Sequence, residues 1–154
     1  MRSPHHPNLQ SFTLSIAFLL APSIAFQMPV IANPTVQVAQ QNTSEIDASI
    51  AKGRRLFEEG SAESLKKAIG HFEKALGLAR SAKVQIKQAL SLLALGRISN
   101  DLGEKQKAID YYNQALLIRR AVGDRSGEAT TFNDLGLVYD SLGEKQKAID
   151  HYNQ

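Results

Sequence analysis

From Glu45 onward, apolar residues recur at helical spacing. Ala108, Tyr112 and Ala115 fall at i, i+4 and i+7 with Ile109 and Leu116 beside them, which draws one apolar stripe along a helix. The segment before it does the same with Leu92, Leu95, Gly96 and Ser99. Between the two lies Asn100-Asp101-Leu102-Gly103, where Gly103 can take the left-handed conformation that ends a helix. The pattern predicts helix, short turn, helix, and then it copies itself. Leu102 to Gln114 (LGEKQKAIDYYNQ) returns as Leu142 to Gln154 with one change, Tyr111 becoming His151, at an offset of 40 residues. Self-similarity at a period of about 20 to 50 residues marks a repeat array. The polar residues Glu104, Lys105, Gln106 and Lys107 are copied as faithfully as the apolar ones. Packing alone would not keep them, so recent duplication of a unit is the expected cause.

The front of the chain follows a different pattern. Between Ser3 and Ser44 there is no Lys, Arg, Asp or Glu. Arg2, His5 and His6 make a short basic start, Ser11 to Phe26 is an apolar core, and Val30-Ile31-Ala32 offers small residues for a cut. These are the three parts of a secretory signal peptide, so residues 1–32 are expected to direct export to a periplasmic or extracellular location. The alternative is a retained membrane anchor over residues 11–32, a stretch long enough to span but interrupted by Pro22 and Pro29. Residues 33–44 are rich in Gln, Thr and Asn, carry no charge and read as a flexible linker. Residues 45–154 form the array, in units of about 45–80, 85–121 and 125–154, the last incomplete.

The units resemble the tetratricopeptide repeat, whose signature runs large apolar, Leu-Gly, aromatic, Gly turn, Ala, aromatic, Ala along two antiparallel helices. The last unit reads Phe132, Leu135-Gly136, Tyr139, Gly143, Ala148, Tyr152. The middle unit reads Leu92, Leu95-Gly96, Ser99, Gly103, Ala108, Tyr112, Ala115, departing only at Ser99, where an aromatic is usual. In the first, Ala68, Phe72 and Ala75 fit, but Gly53 precedes Ala68 by 15 residues instead of 12, so three extra residues are expected in its turn near Gly60-Ser61-Ala62. The resemblance implies an all-α fold: a right-handed superhelical array of antiparallel helix pairs, an α-solenoid, behind the N-terminal signal peptide or anchor helix. Gly96, Gly136, Ala108 and Ala148 would sit where paired helices approach. The long unit and the Gly-Asp-Arg-x-Gly-Glu-Ala junction at Gly123 to Ala129 look like the branch found in kinesin light chains and many bacterial arrays.

Composition narrows the chemistry. There is no Cys, which excludes disulfides, thiolate metal sites and cysteine nucleophiles. The formal charge is +3, with both signs interspersed, unlike the one-sided Lys/Arg footprint of a nucleic-acid binder. His71 and His151 stand without a second ligand at metal spacing, and no phosphate-cradling or nucleophile-elbow motif is present. The expectation is a non-catalytic scaffold with no cofactor, no metal and no small-molecule substrate. Its partner would be a protein or peptide.

In the family that resemblance names, the first helix of each pair lines a concave groove. Carried over, the lining positions are Leu90, Leu93, Arg97 and Asn100 in the middle unit and Thr130, Asn133, Leu137 and Asp140 in the last. Arg54 is the equivalent in the first unit. Asn133 could pair with the backbone of an extended peptide, and Arg97 could hold a carboxylate in a bidentate pair. The Lys/Asn carboxylate clamp of chaperone-binding members is replaced here by Leu93, Arg97, Asn133 and Leu137. As an alternative, the array could be the recognition arm of a larger enzyme, such as a caspase-like (CHAT) protease. The middle unit runs on past Gln114 into Ala115-Leu116-Leu117-Ile118, whereas the last stops at Gln154 with its helix half grown. That predicts a piece of a longer array, or an uncapped end that meets a partner or another copy of the chain.

Overall fold

A computed structural model of the chain describes residues 34–154. The expected leader over residues 1–32 lies outside the described residues, and none of the described helices is long and apolar enough to cross a membrane. Six helices follow in order: α1 (Pro34–Glu59), α2 (Ala62–Ser81), α3 (Gln85–Asp101), α4 (Lys105–Val122), α5 (Arg125–Ser141) and α6 (Lys145–Tyr152). They form three antiparallel pairs, α1–α2, α3–α4 and α5–α6.

One piece of backbone chemistry makes most of the turns. After α3, the Glu104 N–H donates to Ser99 C=O at 2.8 Å and the Gly103 N–H to Asn100 C=O at 3.0 Å, with Gly103 at φ +80°. This double bond around a left-handed residue satisfies carbonyls that the helix end would orphan. After α5 the pattern repeats at Glu144, Tyr139, Gly143 and Asp140. Between units it recurs after α4 at Gly123, and after α2 at Lys83, which holds φ +58°. An L-residue pays roughly 1–2 kcal/mol for that conformation. The motif is strong enough to hold a lysine where the sister junction uses glycine.

Two expectations are corrected. Residues 34–44, read as a flexible linker, are the opening turns of α1. Proline is tolerated at the first helical position, and the Gln and Ala that follow are good helix formers. The linker reading rested on low charge, which does not oppose a helix. Second, the three extra residues of the first unit are not in its turn. Gly60 stands seven residues after Gly53, as Gly103 does after Gly96, and only Gly60 and Ser61 separate α1 from α2. Instead α2 begins one turn early, capped by Ser61, whose hydroxyl accepts from the Ser64 N–H at 3.1 Å. A good N-cap residue turned a potential loop insertion into helix.

The core is shared between units. One buried cluster joins Ile46 and Ile50 of α1, Phe72 and Leu76 of α2, and Leu92, Leu95 and Ile98 of α3. A second joins Leu93 of α3, Ile109, Tyr112 and Leu116 of α4, and Phe132, Leu135 and Val138 of α5. Each cluster therefore reaches from one pair into the next, the second as far as α5 and the first taking in Ala115 of α4 as well as α3. The signature glycines let the pairs close: a Cβ on Gly96 would stand 2.5 Å from the Tyr112 ring, and one on Gly136 would collide with the Tyr152 ring. The fully buried hydroxyls of Ser91 and Thr131 donate along their own helices, to Lys87 C=O and Gly127 C=O, both at 2.9 Å, whereas Ser49 of α1 donates across to His71 C=O of α2.

The copied polar residues also have a structural role. Lys107 pairs with Glu104 at 3.1 Å, and Lys147 with Glu144. Gln106 donates to Asp110 at 3.1 Å and Gln146 to Asp150 at 2.9 Å. Exposed neighbours of this kind add little stability, because water and salt screen them. That is too little to explain their identity between copies, so the duplication reading stands unaltered.

Candidate binding groove

The first helices touch one another in sequence, α1 against α3 and α3 against α5. The second helices keep their backbones apart: no Cα of α2, α4 or α6 comes within 8 Å of another of the three. A stack whose inner members approach while its outer members stay apart has an inner face made of α1, α3 and α5. The expected lining positions all lie on these helices.

Their environments differ. Arg54, Leu90, Leu93 and Arg97 come together around one pocket of about 80 Å³ between α1 and α3. Leu90 is half-buried, whereas Leu93 is almost fully buried because it also belongs to the core beneath. On α5, Asn133, Leu137 and Asp140 are exposed, Leu137 to 58 %, and the Thr130 hydroxyl donates back to Ser126 C=O. Asn133 makes no hydrogen bond among the described residues, so both halves of its amide are open. Asn100 is different: its Oδ1 accepts from Lys105 Nζ at 2.8 Å, which ties it to the turn.

The reading of Arg97 as a holder of partner carboxylates needs correction. Its Nε donates to Asp134 Oδ2 at 2.9 Å and its second amine to Oδ1 at 3.4 Å. The bidentate geometry that suits a partner carboxylate is thus already filled from the next unit. Asp134, 37 residues downstream, directly precedes the Leu-Gly pair of α5, so no local pattern in sequence links the two.

Three inner-face residues escaped the sequence reading. Ile50 and Phe57 line the pocket with Arg54, and Asp47 forms an ion pair with Lys87 at 2.6 Å. The signal was present. The four lining positions, counted from Gly53 as they are from Gly96, fall on Asp47, Ile50, Arg54 and Phe57. The missing Leu before Gly53 made that register hard to trust.

A second polar centre lies at the junction of the last two units. The Arg119 side chain is only 4 % exposed, with Nη1 3.9 Å from Asp124 Oδ2 and Nε without a hydrogen-bond partner. Burial pulls its pKa below the ordinary value, and Asp124 opposes that shift. Asp124 also caps α5 by accepting from the Gly127 N–H at 2.9 Å. Gly127 has no alternative here, since a Cβ would collide with both Arg119 and Asp124.

At the end of the array, His151 stacks on Tyr139 with ring centroids 5.1 Å apart and planes 4° from parallel. Phe132 lies 5.9 Å away on the same ring. Desolvation lowers the His151 pKa below 6.5, opposed by Asp150. Lys147 over Tyr139 and Arg120 over Phe132 already place cations on these rings. A histidine whose folded pKa is depressed contributes stability that is present above about pH 6.5 and lost as pH falls through the folded value. Lowering the pH from 7 to 5 should therefore reduce the protection of α6 amides against exchange, measured relative to the intrinsic rate at each pH. His151→Tyr, the residue of the sister unit, should remove that dependence; an unchanged pH profile in the variant would refute the assignment.

Antiparallel helix pairs stacked at a 40-residue period, with cores shared between neighbours, define an α-solenoid. Residues 87–154 match the family model for the tetratricopeptide repeat. The fold is also similar to the crystal structure of the TPR domain of Arabidopsis FLU, with a TM-score of 0.67 and 24 % identity. That match covers 73 % of this chain and 92 % of the other. No curated protein matches the chain. Residues 87–154 are tetratricopeptide repeats, and the described helices have the fold of a tetratricopeptide-repeat solenoid. Arrays of this kind are, in general, scaffolds for protein–protein interaction.

Proposed function

We propose that this array binds an extended segment of a partner protein along the inner row, without catalysis, and that the leader over residues 1–32 places it outside the cytoplasm. The observation that carries the reading is the convergence of Arg54, Leu90, Leu93 and Arg97 on one pocket between adjacent first helices. The free amide of Asn133 and the exposed Leu137 continue the surface onto α5. An amide is suited to this because it offers donors and an acceptor to a backbone of any sequence. The outer row carries the copied segment, whose Lys107 and Gln106 side chains are engaged with Glu104 and Asp110.

Photo-crosslinking tests the proposal. p-Benzoylphenylalanine installed at position 137, in the full chain, should form partner adducts in extracts of the native cells. The same group at position 117, exposed on the outer helix α4, should form none. Adducts from position 117 alone would overturn the groove reading.

A further inference from the structure

The pocket between α1 and α3 has chemistry specific enough to name what enters it. Its floor is the Phe72 ring, drawn in beneath Gly53, where an added Cβ would stand 3.0 Å from the ring. Ile50 and Phe57 wall one side and Leu90 and Leu93 the other. At the positions equivalent to Leu90 and Leu93, α5 carries Thr130 and Asn133. The apolar walls therefore belong to this junction and are not a general property of the groove.

Size restricts the occupant. An enclosed apolar cavity of about 150 Å³ binds benzene, and this pocket, open on one side, measures about 80 Å³. It admits a branched aliphatic side chain and turns away a phenyl or indole ring. Charge restricts it further. Two guanidinium groups stand at the pocket, but Arg97 is committed to Asp134. Arg54 forms no ion pair and no hydrogen bond among the described residues, even with Glu58 one turn along, and it is exposed. One uncompensated cation therefore stands beside an apolar hole.

We infer that this pocket is a socket for one Val, Leu or Ile side chain of a partner segment whose neighbouring residue supplies a carboxylate to Arg54. The inference rests on the groove reading and adds the chemistry of its ligand. Successive side chains of an extended segment point to opposite sides. With the anchor pointing into the pocket, the next side chain points out toward the rim, where the exposed and flexible Arg54 can reach its carboxylate. A guanidinium favours a planar carboxylate over any other common side chain, so reversing the flanking charge should weaken binding.

Methyl NMR of the full chain tests this with small probes. Acetyl-Asp-Leu-Asp-amide should shift the methyl signals of Ile50, Leu90 and Leu93, at least tenfold more tightly than acetyl-Lys-Leu-Lys-amide. Acetyl-Asp-Trp-Asp-amide should leave those signals in place. In Arg54→Glu the preference between the two leucine probes should invert, and the dispersed methyl spectrum of that variant reports that it remains folded. Equal affinity for the acidic and basic probes, or a preference unchanged in Arg54→Glu, would overturn the socket. Shifts confined to Leu137 would also overturn it while leaving the groove reading in place. The groove reading itself fails only on the crosslinking result at position 117.

Discussion

Tyr112→Ala should lower the stability of the folded chain by about 3–5 kcal/mol, whereas Tyr152→Ala should cost only a small fraction of that. The two tyrosines occupy the same position of the repeat, and each packs its ring over a glycine, Gly96 or Gly136. Their surroundings differ. Tyr112 is 2 % exposed because α5 covers it, whereas Tyr152 is 45 % exposed. The same contrast separates Ile109, at 5 %, from Ile149, at 50 %. Burial of a large side chain contributes in proportion to the area taken from water, so identical residues in identical local sequence should differ severalfold in effect. Thermal or denaturant unfolding of the two variants gives the comparison, and equal losses would show that α6 is packed as tightly as α4. Amide exchange offers a second check: Ile149 should exchange faster than Ile109.

Asp124→Ala should be the next most damaging change, on the order of 3 kcal/mol, because it removes two interactions at once. The α5 cap onto Gly127 is lost, typically about 1 kcal/mol. Arg119 is then left as a buried charge without its counter-ion, a situation that costs more than the pair gains by forming. Asp124 is itself 30 % exposed, which holds the total at the low end of what a fully buried pair would give. Asp124→Asn separates the two effects, since asparagine caps as well as aspartate and carries no charge. Arg119→Met should be close to neutral, because the Arg119 Nε has no hydrogen bond to lose. Denaturant midpoints of these three variants would check the order. An Arg119→Met loss as large as that of Asp124→Ala would contradict the account.

Much of this architecture was legible in the sequence because repetition is a local signal. The 40-residue offset gave the unit, Gly103 and Gly143 gave the turns, and the stripe through Ala108, Tyr112 and Ala115 gave the packed face. What stayed hidden depended on contacts between units. The Arg97–Asp134 pair joins residues on different repeats, and nothing in either segment announces the other. The place of the three extra residues of the first unit was hidden for a different reason. A loop and an added helical turn accept the same short polar sequence, and the Ser61 cap decides between them. The pocket was half legible: Arg54, Leu90, Leu93 and Arg97 were assigned to the groove, but Ile50 and Phe57 required trust in a register that the degenerate first unit obscures.

Sharing a core between each pair and the next first helix gives the array a direction. No pair holds a complete core of its own, so loss of order should advance as a front that removes one helix at a time. It should begin at α6, where Ala148 is the buried residue, and α3, flanked on both sides, should be among the last to melt. The α1–α3 pocket lies at the far end from that front. The proposed socket between α1 and α3 thus stands away from the least covered helix, and its walls should hold while α6 opens and closes.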